Sequence, residues 1–266
     1  MINFLRRKRK QLADDNKILK YLKYAFGEII LVVLGILIAL SINNWNENRK
    51  NKNLETIYVL RFLDDLEEEE LYVQSYIQYN AKVSDFANKA IQYFDNPEMA
   101  LENPKQCLID IYQASQFNDA RQTASTYKEL NTSGQINLLR NYELRTSVIS
   151  FYESDWTNSV VFNFPNKYRE NLRSVMPNDI QKNIRTNCGD IYVETKKSIS
   201  VELPEICHIE IDNEVAKIAL NNLLNDLELK KDLNFLVGNI YAKLAFMDYI
   251  QRQLKVVKTE LEEYKK

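Results

Sequence analysis

Histidine occurs once in this chain, as His208, and that scarcity alone closes off several chemistries. Two-histidine zinc sites of the His-Glu-x-x-His kind are excluded, and so is the di-iron bundle, which needs two Glu-x-x-His motifs. Glu205-Ile206-Cys207-His208 supplies one such spacing, but Pro204 and a strand-like setting deny it the helix it requires. Five glycines in 266 residues leave no phosphate-cradling loop and no Gly-x-Ser-x-Gly elbow. Cys207 cannot use the adjacent His208 as its base, because neighbours on a strand point to opposite faces; only Cys107 or Cys188 stays open to such a pairing. A non-enzymatic protein without cofactor or metal is therefore expected. The five prolines, Pro97, Pro104, Pro165, Pro177 and Pro204, all fall outside the segments of helical period, which suits a largely helical chain.

What the sequence has is one long apolar run near its start. From Ile29 to Leu40 no side chain is polar. Extended to Phe26 and Ile42 the run holds about 17 residues, roughly 25 Å of helix, the short end of what spans a bilayer. Tyr21, Tyr24 and Trp45 flank it at headgroup level. Before it, Arg6, Arg7, Lys8, Arg9, Lys10, Lys17, Lys20 and Lys23 stand against only Asp14 and Asp15, an excess that favours a cytoplasmic N-terminus. The cluster Arg6 to Lys10 reads as a topology determinant and a contact for anionic lipid, so membrane lipid is an expected partner and nucleic acid is not. A cleaved leader is the rival reading, since Ala39-Leu40-Ser41 places small residues at a processing-site spacing. Gly27, Gly35 and Ala39 share a face, and Gly35-x-x-x-Ala39 is a small-residue pair through which two membrane helices could approach.

Phe26-Gly27-Glu28-Ile29-Ile30-Leu31-Val32-Val33-Leu34-Gly35-Ile36-Leu37-Ile38-Ala39-Leu40, followed by Ile42-Asn43-Asn44-Trp45-Asn46-Glu47, resembles the N-terminal signature of a bacterial family of single-span membrane proteins that carry a domain of unknown function. The likeness is dense over about 30 residues and looser afterwards, in Tyr127 to Tyr152 and the helical C-terminus. It implies one span and a helical extracytoplasmic domain, hence a bacterial inner-membrane protein with its C-terminal part in the periplasm. No activity and no site residue come with it.

Beyond Trp45 a segment without glycine or proline runs to about Asp95. Its residues Tyr72, Tyr76, Tyr79, Val83, Phe86, Ala90 and Tyr93 step alternately by four and three, the seam of a coiled-coil-like helix. The acidic run Asp64 to Glu70 on the same helix reads as solvated charge, because consecutive residues fan out around the axis. Short helices are predicted between Lys105 and Leu130, with Phe117 among their apolar contacts. Thr132 and Gln135 suit a capping box that restarts a helix running to about Phe162. Arg121, Thr126, Tyr127, Ser133 and Gly134 form the candidate binding surface. Residues 183 to 211 alternate as a strand, turn and strand, and Cys188 and Cys207 flank the turn almost symmetrically, so a disulfide between them is expected outside the cytoplasm. Cys107 is left as a buried free thiol. From about Asn225 to Tyr264 a stripe through Leu233, Val237, Ile240, Leu244 and Met247 predicts a second long helix, antiparallel to the first.

The expected fold is thus mainly α. A basic cytoplasmic tail (1–25) and a transmembrane helix (26–44) lead into an extracytoplasmic bundle (45–266) with long antiparallel helices and a small β-hairpin insertion at about 183–211. The expected role is membrane-anchored protein interaction or scaffolding, with an envelope protein or a second copy as partner. The alternative is an extracytoplasmic ligand sensor that acts through a separate cytoplasmic partner.

Overall fold

A computed structural model describes residues 18–194 and 199–265, with side chains from Leu22 onward. The basic tail up to Lys17 and the hairpin turn Lys196-Lys197-Ser198 lie outside the described residues. Nine α-helices and one two-stranded sheet make up the described chain: α1 (Ile18–Asp95), α2 (Pro97–Ala100), α3 (Pro104–Gln113), α4 (Ser125–Thr132), α5 (Tyr142–Glu153), α6 (Lys167–Val175), α7 (Asn178–Cys188), β1 (Ile191–Glu194), β2 (Ile199–Glu202), α8 (Asn213–Leu224) and α9 (Leu227–Lys265). The chain divides into two compact units between Ile57 and Tyr58.

In the first unit the helix carries a window of mean hydropathy 2.6 of which none is buried. Phe26 is 66% exposed and Leu31 73%. A core helix of a water-soluble fold would bury such side chains at about 2 kcal/mol each, so this stretch is long and apolar enough to cross a membrane and has no protein against it. Added Cβ atoms at Gly27 and Gly35 would meet nothing within 4 Å.

The second unit is a helical bundle whose long walls are α1 from Tyr58 onward and α9. Three contacts fix their direction. Glu70 pairs with Lys258, Asn88 with Tyr241 and Asp95 with Lys230, so position rises along one helix as it falls along the other. The tyrosine seam of α1 is buried as its period requires: Tyr76 and Tyr79 are 1% exposed and Ala90 0%. Two apolar clusters follow from this pairing. One joins Val59 to Tyr76 with α4, α5, Trp156 and the C-terminal half of α9. The other joins Tyr79 to Phe94 with α3, α6, α7, α8 and the N-terminal half of α9.

Several local readings of the sequence are corrected here. Residues 183–188 are the end of α7, so the hairpin is shorter than 183–211, with Ile191 opposite Glu202 and Glu194 opposite Ile199. The disulfide Cys188–Cys207, Cα atoms 5.4 Å apart, therefore joins the last residue of a helix to the coil after β2 instead of two strands. Thr132 ends α4 and starts nothing. Gly134, at φ 69°, turns the chain there, and the next α-helix is capped by Asn141, whose side chain accepts from Leu144 N–H. Helix α5 stops at Glu153, short of Phe162, because Asp155 adopts a left-handed φ of 38°. Helix α8 was not read from the sequence at all. Its start is marked by Asp212, which accepts from Glu214 and Val215 N–H, and Ala216, Ala219, Leu220 and Leu223 form its buried face.

Gly189, just past the disulfide, has an ordinary φ but no room: an added Cβ would lie 2.5 Å from the Arg185 carbonyl oxygen. We expect Gly189→Ala to lower stability by about 1–3 kcal/mol, since a backbone atom cannot move aside. Gly238→Ala, in open space inside α9, should instead raise it by about 0.5–1 kcal/mol. Opposite shifts in thermal midpoint check both.

Candidate functional site

The second unit holds a cleft of about 850 Å³ with four walls. The loop between α3 and α4 supplies Phe117, Asn118, Asp119 and Ala120; the chain after α5 supplies Val161, Phe162 and Phe164. Helix α6 contributes Arg169, Glu170 and Arg173, and α9 contributes Leu236, Asn239, Ile240 and Lys243 from one of its faces.

The first wall is a loop without regular structure, and α1 holds it in place through a polar ladder. Asp65 accepts from Ser125 Oγ at 2.8 Å and from Thr126 N–H at 2.8 Å, so a carboxylate of α1 caps α4, whose own N-cap, Ala124, has no side chain to do it. One turn on, Glu69 accepts from Thr123 N–H at 2.7 Å. Next, Tyr72 donates to the Asp119 carbonyl at 2.5 Å and accepts from Arg121 N–H at 3.1 Å. Two turns further, Asn80 donates to Asn118 Oδ1 at 3.2 Å. These residues recur at helical spacing, so one stripe of α1 carries every hook. The acidic run is accordingly not all solvated: Asp65 is 9% exposed and Glu69 0%. Burial pushes the Glu69 carboxyl up to about 7, against the hydrogen bond from Thr123 and the charge of Arg121.

Positive charge gathers in the cleft: Arg169, Arg173 and Lys243 form no ion pair among the described residues, and the one acid whose charge reaches Arg169 is Asp190, bonded to Tyr79. Arg169 Nη1 donates to the Ser115 carbonyl at 2.9 Å and to Gln116 Oε1 at 3.1 Å, and its guanidinium lies 4.9 Å from the centre of the Phe117 ring. Arg173 Nη2 donates to Ser115 Oγ at 3.0 Å, and its guanidinium stacks on Tyr112 at 3.3 Å. Nε and Nη1 of Arg173 are buried and meet no acceptor among the described residues. Lys243 Nζ, 6.0 Å from the Phe162 ring centre, makes no hydrogen bond or ion pair there. Burial pulls the pKa values of all three cations down. The cleft acids Asp119 and Glu170 are exposed, and neither pairs with them.

The residues singled out from the sequence do not make one surface. Thr126 and Tyr127 are core residues, 1% and 7% exposed, and Tyr127 stacks on Tyr152 with ring centres 5.0 Å apart. Arg121 lies over the Tyr72 ring at 4.6 Å, while Ser133 and Gly134 are exposed at the far end of α4. Phe117, expected as a core contact, is 49% exposed and faces the cleft. The sequence reading missed Arg169, Arg173 and Lys243. Part of their signal was present: two arginines one turn apart in an aromatic-rich segment, and a lysine directly beside Leu244 of the α9 stripe. Among the described residues no group of His, Cys, Asp and Glu could hold a metal.

A family of unknown function (DUF6090) matches residues 28–185, a stretch that includes three walls of the cleft and stops before α9. No curated protein and no solved structure matches the chain.

Proposed function

The chain belongs to the DUF6090 family, whose function is unknown, and from that premise we propose that it is a membrane-anchored receptor whose helical unit takes up a small ligand in the cleft. One observation carries this reading: a cleft of about 850 Å³, inside the 300–1,000 Å³ range of ligand sites, is lined by Arg169, Arg173 and Lys243, none of which forms an ion pair among the described residues. In this reading the N-terminus faces the cytoplasm and the unit from Tyr58 lies in the periplasm, supported by the lysine and arginine excess before the apolar run and by the disulfide. Scaffolding of an envelope protein, or of a second copy through the small-residue face of Gly27, Gly35 and Ala39, is the second reading.

A photo-reactive phenylalanine analogue at Asn239, on the cleft wall, separates the two. Irradiated in native membranes, it should yield an adduct of small-molecule mass. Only protein-sized adducts would favour the scaffold, and no adduct at all would remove the receptor reading. A C-terminal reporter active only outside the cytoplasm is expected to be active, and an expressed but silent fusion would reverse the orientation.

A further inference from the structure

The cations of the cleft form two poles. Arg169 and Arg173 sit one turn apart on α6. That helix runs against α9, as Asn171 bonded to Asp232 and Phe164 packed on Phe235 show. Arg169 therefore lies between the levels of Asp232 and Phe235, and Lys243, at least eight residues further along α9, stands roughly 12 Å or more away along the axis. Each pole has an aromatic ring beside it, Phe117 at Arg169 and Phe162 at Lys243. Between them the wall carries Leu236, Ile240 and Phe164, interrupted by Asn239.

Desolvated charges without partners cost several kcal/mol, and a fold retains them where something of opposite sign comes to meet them. Resting on the receptor reading, we propose that the ligand is an elongated organic dianion, two carboxylate or phosphate groups joined by an apolar spacer, with one acidic end at Arg169 and the other at Lys243. Arg169 is placed for direct contact, because Nη1 is tethered to the loop and the rest of the fork is not tied to any protein group. Arg173 acts differently. Its unpartnered nitrogens are sealed from solvent, so its charge favours an anion at the arginine pole through the low-dielectric wall without touching it. Lys243 is the other end, a donor with no hydrogen-bond acceptor among the described residues.

The test uses full-length protein in nanodiscs with four probes at constant ionic strength, followed by calorimetry or ligand-observed NMR: octanedioate, octanoate, 1,8-octanediol and inorganic phosphate. Octanedioate should bind tightest, octanoate about tenfold more weakly, and the diol and phosphate more weakly still. Lys243→Met, which removes only the ring contact with Phe162 from the free protein, should reduce octanedioate to the level of octanoate and leave octanoate unchanged. Arg169→Gln should weaken both about tenfold, with circular dichroism confirming its fold. Equal binding of octanoate and octanedioate, binding of the diol as tight as that of the diacid, phosphate matching the diacid, an unaffected Lys243→Met variant, or no binding of any probe would each overturn the dianion. A small-molecule adduct at position 239 together with any of those results leaves the receptor standing and removes only the ligand class.

Discussion

Replacing Glu69 by glutamine is expected to make the protein more stable above neutral pH, by about 3 kcal/mol, and to flatten its pH dependence. Glu69 is fully buried on α1, with Oε2 held by Thr123 N–H and Oε1 without a partner among the described residues. Its pKa is raised from the usual 4.5 to about 7 in the fold, burial being the largest cause. In the unfolded chain it returns to about 4.5, so between those two pH values the folded state holds a proton that the unfolded state has lost. Stability therefore falls as pH rises through this window and levels off above it. Glutamine keeps an acceptor for Thr123 N–H and never ionises. The gain should be largest at pH 8 and vanish near pH 4. Denaturant unfolding followed by the fluorescence of buried Trp156 would measure it. A wild-type protein whose stability does not fall between pH 5 and 8 would show that Glu69 is not desolvated in solution.

That carboxylate also marks where the sequence stopped being readable. The tyrosine seam of α1 announced itself through period alone, because apolar spacing is the same signal whichever partner covers it. The antiparallel match with α9 followed, since both stripes are long and uninterrupted. Asp65 and Glu69 gave no such signal. Among six acids in seven residues, nothing local says which two face a loop of unpaired backbone N–H groups some 55 residues downstream. Such a choice is made by tertiary contact. The cleft cations were obscured for the same reason: Arg169 and Arg173 look like solvated charges on a short helix until the α3–α4 loop is laid against them. Helix α8 is another matter. Its aspartate cap and its stripe Ala216, Ala219, Leu220 and Leu223 were legible, and the strand pattern just before it drew the reading away.

Loss of the Cys188–Cys207 bridge should cost about 3 kcal/mol, the value for closing a loop of this size. The bridge ties the end of α7 to the coil after β2, which is also anchored by buried Leu203 and Ile209 and by Asn183 bonded to the Glu210 backbone. Both strands are largely exposed, and the hairpin is otherwise held to α1 by Lys82 donating to the Leu203 carbonyl and by Tyr79 donating to Asp190. The double variant Cys188→Ala, Cys207→Ala, or wild type under reductant, should therefore melt lower by a similar amount. Cys107 should not contribute: it is buried, hydrogen-bonded to the Ala100 carbonyl, and its thiol pKa is pushed up to about 11 by burial, which keeps it protonated and unreactive. The same bond bears on orientation, because it persists in the periplasm and is reduced in the cytoplasm. Mass mapping of non-reduced peptides from native envelopes should find the bridged pair with Cys107 free. Recovering Cys188 as a free thiol would put the helical unit on the cytoplasmic side, and the cleft would then face the metabolite pool of the cell.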